Sequence, residues 1–278
     1  MKIDEKYVFI VEIEIYFYIC VNLLMLIIVR NLNKSTYGKV FLCTLLVVIT
    51  VYFFGVFSQK ELLLKLAIPL LIPTFLIIFL LKYKSLSIPL ISFLFFSFLG
   101  DISSVYIKEE MFSYVSNTFY FLSFIYLLFI IVPKFKLFEV DKIIGIYLVL
   151  VFLINVYLLY ALYGFLKSVI PDSLEVNLFA LKSLVLIILA FLSFGIYLNT
   201  QTKRSILFLA STVCFGFSTI LDYINAYYFY DWNFIMVHKV LYAIGMYFLF
   251  SYAQIENHVK KNKFSEVNES YSPNNILA

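Results

Sequence analysis

The chain has 278 residues, of which 63% are hydrophobic, 20% aromatic and 14% charged, with a formal net charge of +4 and a mean hydropathy of +0.98. A soluble domain carries about 45–50% apolar and about 25% charged residues, so no soluble fold of this size hides this much apolar surface. The figures exclude a soluble enzyme, a nucleic-acid binder and a disulfide-stapled secreted domain. They predict an all-α, polytopic transmembrane bundle, because in lipid each segment must bond its own backbone.

Nine apolar runs follow one another, at about 8–29, 40–57, 66–81, 88–107, 113–132, 143–166, 176–198, 206–224 and 235–254. Roughly 20 apolar residues cross a bilayer as a helix, so the pattern predicts about nine helices. The run at 66–81 is short and either tilts little or re-enters. Residues 1–39 read as an extra N-terminal helix with a basic loop, 40–254 as an eight-helix membrane domain, and 255–278 as a polar, disordered cytoplasmic tail. Asp4 and Glu5 before the first run, and Glu12 and Glu14 early in it, mean that it does not read as a cleavable signal.

The connections alternate in charge. Arg30, Lys34, Lys39, Lys82, Lys84, Lys134, Lys136, Lys142, Lys203, Arg204, Lys260, Lys261 and Lys263 fall on one side. Lys2, Lys6, Lys60, Lys65, Lys108 and Lys167 fall on the other, several beside acids. Basic loops face the cytoplasm, so the expected protein lies in a bacterial inner membrane with its N-terminus outside and its C-terminus cytoplasmic. Tyr227, Tyr228, Tyr230 and Trp232 read as an outer aromatic belt.

Cys20, Cys43 and Cys214 all fall in apolar runs and are expected as buried small residues. Of the two histidines, His238 opens the last run and His258 lies in the polar tail. That inventory predicts no metal site and excludes the three-histidine zinc hydrolases. No other cofactor is expected.

Ionisable groups inside a span are costly and mark function by default. At about 1.5 Å per residue, Asp101 lies about 20 Å and Asp222 about 24 Å from the cytoplasmic starts of their helices. By the same measure Lys182 enters its helix from outside by about 9 Å, and Lys239, beside His238, by about 6 Å. Lys65 sits at the outer mouth of the third run, and Glu12 and Glu14 in the outer part of the first. All fall in the outer half. For Lys65, Lys239 and the glutamates the plain alternative is snorkelling to the headgroups. For the two aspartates it is structural pairing, such as Asp222 with Lys239, because a lone carboxylate in lipid is too costly.

Phe96-Ser97-Phe98-Leu99-Gly100-Asp101 and Phe217-Ser218-Thr219-Ile220-Leu221-Asp222 both read F-S-x-x-x-D, 121 residues apart. At i, i+4 the hydroxyl and the carboxylate share one helix face, so Ser97 and Ser218 are expected to orient the carboxylates or bond a substrate. The same offset carries Tyr126 onto Tyr247 and Lys65 to within a turn of Lys182. The spacing predicts a tandem four-plus-four repeat behind the extra helix, with a site between the units.

Lys65 with Pro69, the Ser97–Asp101 stretch, Phe121-Leu122-Ser123-Phe124-Ile125-Tyr126, Asp222-Tyr223-Ile224-Asn225-Ala226, and Tyr242 with Gly245 carry a likeness. Together they resemble the YhhN-type, lysoplasmalogenase-like membrane proteins over roughly residues 40–254, as a divergent member. That family has eight spans, to which this chain adds one in front. Ser123 or Phe124 stands where the family has a histidine, and Leu221 where it has a serine before the second aspartate. The proline after the first lysine is displaced.

The resemblance implies hydrolysis of the vinyl ether bond of a lysoplasmalogen to a fatty aldehyde and a glycerophospho head group. Asp101 and Asp222 would divide the acid and base roles. Lys65, Lys182 or Lys239 would engage the phosphate, and Ser97, Ser218, Tyr126 and Tyr242 would line the substrate. The expected partner is therefore a membrane lipid or lysophospholipid. The absent histidine speaks for another class, a non-enzymatic lipid-binding, sensing or scaffold module. A carrier for an anionic solute is a third class, and the outer-half position argues against it because carriers site their ligands near the midplane.

Overall fold

The computed structural model describes residues 42–43, 45–47, 49–50, 69–82, 86–106, 110–135, 142–170, 172–227 and 232–270. The chain divides into two units, Met1–Cys43 and Thr44–Ala278, and every helix named below belongs to the second. The predicted first helix, with Glu12, Glu14 and Cys20, lies outside the described residues. So do Lys65, Tyr228 and Tyr230.

Among the described residues, seven helices with assigned bounds follow in order: α1 (Leu71–Lys82), α2 (Ile88–Tyr106), α3 (Glu110–Ile131), α4 (Lys142–Val169), α5 (Ser173–Thr200), α6 (Lys203–Tyr227) and α7 (Trp232–Ser270). Among the described residues five segments are long and apolar enough to cross a bilayer: Tyr114–Lys134, Gly145–Ser168, Ser173–Thr200, Lys203–Asn225 and Phe234–Val259. The described residues contain no strand. The chain is thus an all-helical membrane-type bundle. Where the sequence expects an irregular tail from about 257, α7 continues to Ser270.

Local chemistry sets the ends. The Asp172 carboxylate accepts from Leu174 N at 2.9 Å and caps α5. Gln201 closes that helix in the left-handed region, φ 45°, with its amide donating to Tyr197 O. Thr202 and Ser205 then bond reciprocally at the start of α6: Thr202 N donates to Ser205 Oγ at 3.1 Å and Ser205 N to Thr202 Oγ1 at 3.3 Å. Pro133 ends α3 in a single 3-10 turn, having no amide to continue the ladder.

The most extensive packing joins α6 to α7 and α2 to α3, followed by α3 to α5, α5 to α6 and α4 to α5. Aromatic rings fill the centre. Phe215 on α6 meets Phe93, Phe124 and Tyr242 at centroid distances of 5.9, 5.9 and 5.8 Å. Phe250 on α7 takes Phe75 of α1 edge-on at 5.3 Å. Close approach of α7 to α6 needs Gly245, because a Cβ there would stand 2.8 Å from the Phe215 ring.

The outside is apolar too. On α4, Ile146, Tyr157 and Tyr160 are 70%, 69% and 74% exposed, a surface suited to lipid rather than water. Cys214 is buried as expected, but Cys43 is exposed. A small apolar side chain facing hydrocarbon carries no penalty, so nothing forces it inward.

Candidate functional site

Five helices bring polar side chains to one end of the bundle. Because the chain reverses at each connection, the C-terminal parts of α2 and α6 meet the N-terminal parts of α3, α5 and α7. Asp101 lies five residues before the end of α2, and Asp222 five before the end of α6, each about 8 Å inside.

Asp101 is 1% exposed. Tyr120 Oη on α3 donates to its Oδ1 at 2.6 Å, and Tyr242 Oη on α7 to its Oδ2 at 3.3 Å. The two rings meet edge-on at 6.3 Å. Tyr120 can lie against α2 because residue 100 is glycine: a Cβ there would stand 3.0 Å from its ring. Ser116 Oγ donates to the Gly100 carbonyl at 3.0 Å and holds α3 in that register. A buried carboxylate is thereby given two hydroxyl donors, which offsets part of the cost of removing it from water.

Asp222 differs. Half of its side chain is accessible, yet Lys239 and Lys182 stand within electrostatic reach, and His238 Nε2 lies 3.5 Å from Oδ1. The carboxylate therefore lines the mouth of the cluster, while Asp101 lies in its closed interior.

Lys182 joins the two. It is 3% exposed, donates to Asn117 Oδ1 at 2.8 Å, and stands over the rings of Tyr223 at 5.0 Å and Tyr120 at 5.8 Å. Cation–π contact of this kind strengthens when water is excluded. Lys239 lies within electrostatic reach of both Asp101 and Asp222, and Tyr120 likewise interacts with both carboxylates. Two carboxylates and two ammonium groups thus form one charge-balanced cluster.

His238 is bound to Ser218 across the α6–α7 hairpin. Ser218 Oγ donates to the His238 carbonyl at 3.1 Å, and His238 Nδ1 donates to the Ser218 carbonyl at 2.8 Å. A carbonyl only accepts, so this bond assigns the Nδ1 proton. His238 Nε2 is buried without a hydrogen-bond partner, 3.5 Å from Asp222 being too long for one.

The predicted residues divide as follows. Asp101, Asp222, Lys182, Lys239, Tyr242 and Ser218 fall in or beside this cluster. Ser97 is buried near Tyr242, and its hydroxyl makes no hydrogen bond to Asp101. The tyrosines of α3 and α7 reach the carboxylate instead. Ser218 turns to His238 rather than to Asp222. Tyr126 stacks on Phe96 at 5.5 Å and 11°, and meets Phe129, about 9 Å along the helix from Tyr120. Asp222 finds His238, not Lys239, as its nearest partner. Lys65 lies outside the described residues.

Four members were missed: Asn117, Tyr120, Tyr223 and His238. A signal existed for three of them. Asn117 and Tyr120 stand at i, i+3 on one face of an apolar run, and His238 stands at i, i+4 from Tyr242. Tyr223 is one tyrosine among 23 and carries no such mark. Among the described residues, no group of three or more His, Cys, Asp or Glu is arranged to hold a metal ion.

No protein-family model matches this chain, and no curated protein or solved structure matches it either. The likeness to the lysoplasmalogenase-like proteins therefore rests on the sequence motifs alone.

Proposed function

We propose that this protein is a membrane-embedded hydrolase of a single-chain ether lipid, cleaving a vinyl ether bond of the lysoplasmalogen type with Asp101 and Asp222 as the acid–base pair. In that reaction a proton adds to the outer alkenyl carbon, leaving an oxocarbenium ion. Water adds to the ion and loses a proton, and the hemiacetal collapses to a fatty aldehyde and the freed alcohol of the head group. The chemistry needs one acid and one base in different surroundings. The observation that carries the reading is that Asp101, closed in by tyrosines, and Asp222, open at the mouth, both interact with Tyr120 and lie within electrostatic reach of Lys239. Asp222 would meet the substrate, Asp101 would exchange protons through Tyr120, and Lys182 or Lys239 would engage a phosphate. A tandem repeat is part of this proposal. The 121-residue offset that relates the aspartates also carries Asn117 onto His238, and both stand in the cluster. The bacterial inner membrane and the N-terminus-outside topology follow from the loop charges.

The test is aldehyde release by detergent-purified protein from a 1-alkenyl lysophospholipid. Wild type should release it, and Asp101→Asn and Asp222→Asn should each abolish release while the protein melts as a folded species. No release by wild type overturns the hydrolase. A second reading, a non-enzymatic lipid-binding or sensing module, is favoured by the 1% exposure of Asp101. It predicts saturable retention of the lysolipid without aldehyde.

A further inference from the structure

A groove of about 590 Å³ runs along the bundle between α4, α5 and α6. Its wall on α4 extends from Tyr147 to Leu162, about 22 Å at helical rise. That is more than one leaflet of a hydrocarbon core about 30 Å thick. All three helices are among those apolar and long enough to cross a bilayer. The groove is lined mostly by apolar side chains, and two of its polar groups bond their own helix. Asn155 Nδ2 donates to Val151 O at 2.8 Å, and Thr212 Oγ1 to Phe208 O at 3.0 Å.

We propose that this groove seats the hydrocarbon chain of a membrane lipid, whose polar end then reaches Lys182 and Asp222. Length and charge select this occupant. An apolar groove about 22 Å long, with Lys182 and Asp222 at the level of one end, matches an amphiphile with one long tail and a polar head, whereas a helix from a second copy has no counterpart for the charged end. The floor points the same way. Gly216 of α6 lines the groove, and a Cβ placed there would meet nothing within 4 Å. The glycine leaves that space open although it weakens the helix.

The groove's end lies at the level of the charged cluster. Phe179 and Ser183 in its wall flank Lys182 on α5, and Thr219 lies one turn from Asp222 on α6. Phe179 packs on Tyr223 at a centroid distance of 3.9 Å, and Lys182 Nζ stands over that Tyr223 ring. The aromatic pair thus separates hydrocarbon from charge at the level where a lipid changes from tail to head. The inference deepens the lipid reading above and depends on it only for the chemistry at the head end.

The test uses the full chain in phosphatidylcholine vesicles containing a lysophosphatidylcholine with a diazirine near its chain end, with adducts mapped by mass spectrometry. Adducts should concentrate on Val151, Phe191 and Val213, well above the outward-facing Tyr157 and Tyr160. Gly216→Leu, which fills the groove without a backbone clash, should lower groove labelling about tenfold, a factor equivalent to about 1.4 kcal/mol. Gly164→Leu, at a glycine equally open but outside the groove, should leave labelling unchanged. Ala190→Leu supplies a second block if Gly216→Leu does not fold. Uniform labelling of the outer faces, or groove labelling that neither Gly216→Leu nor Ala190→Leu lowers, overturns the proposal. So does chain-to-chain cross-linking through the groove. Groove labelling without aldehyde release keeps the groove and removes the hydrolase; release without groove labelling does the reverse.

Discussion

Ser218 and His238 each bond the other's backbone: the serine hydroxyl donates to the His238 carbonyl at 3.1 Å, and the imidazole Nδ1 to the Ser218 carbonyl at 2.8 Å. The exchange locks the register of α6 against α7 and aims Nε2 at Asp222. Interhelical hydrogen bonds in membranes average about 0.6 kcal/mol and reach about 1.7. Ser218→Ala should fall in that range. His238→Phe, which loses the imidazole bond to the Ser218 carbonyl, should cost at least as much. Thermal unfolding in detergent reads both, and equal melting of His238→Phe and wild type would contradict the lock.

Lys182 is a buried cation within electrostatic reach of Asp222 and against the Tyr120 ring. Its removal takes away the hydrogen bond to Asn117 and one of the cations facing Asp222, which is half exposed and keeps Lys239, so the cost is about 1–3 kcal/mol. Lys182→Met should therefore melt below wild type. Adding Asp222→Asn should recover part of that loss, since the carboxylate left with one cation fewer is then gone. A double-mutant cycle measures the coupling, and strict additivity would remove Lys182 from the cluster.

Tyr120 and Tyr242 share Asp101 unequally, at 2.6 and 3.3 Å. A hydrogen bond to a charged group contributes about 1.5–3 kcal/mol. Tyr120→Phe should lie within that range and Tyr242→Phe below it, as read by unfolding. If the aldehyde assay is positive, Tyr120→Phe should also lower turnover more than Tyr242→Phe.

Two glycines give opposite outcomes. Gly245→Val places a side chain where a Cβ already stands 2.8 Å from Phe215 and 3.3 Å from Cys214. Overpacking of this kind costs about 1–3 kcal/mol. Gly145→Ala meets nothing within 4 Å and should be neutral or slightly stabilising through helix propensity. The comparison of the two melting temperatures is the measurement.

At the opposite end, Glu256 pairs with Lys134 at 2.8 Å and with Arg204 at 3.2 Å, tying α3, α6 and α7. The two basic side chains are 35% and 37% exposed, so solvent screens the network and its worth is about 1 kcal/mol or less. Glu256→Gln should lower the melting temperature slightly, and high salt should shrink that difference.

Much of this was legible in the residues. Among the described residues most helix boundaries followed the apolar runs, because in lipid a run of that length satisfies its backbone only as a helix, while α7 ran on past its own run to Ser270. The gathering of Asp101, Asp222, Lys182 and Lys239 at one end followed from their depths along each run, a one-dimensional quantity. Their partners did not follow. Ser97 and Asp101 share a face, yet Tyr120 reaches the carboxylate from another helix because Gly100 admits its ring. Ser218 and Asp222 share a face, yet both meet His238. Same-helix spacing shows which groups stand together, but not which neighbouring helix delivers a longer side chain.

By itself the sequence determined the solvent of this protein and the level at which its charges lie, since hydropathy and helical rise depend only on residue order. Tertiary structure alone decided that Asp101 is enclosed and Asp222 open, that Lys182 lies between two tyrosine rings, and that α4, α5 and α6 leave a groove. These depend on how helix surfaces meet, through glycines that permit contact and rings that fill or leave space, and no spacing along one chain encodes that.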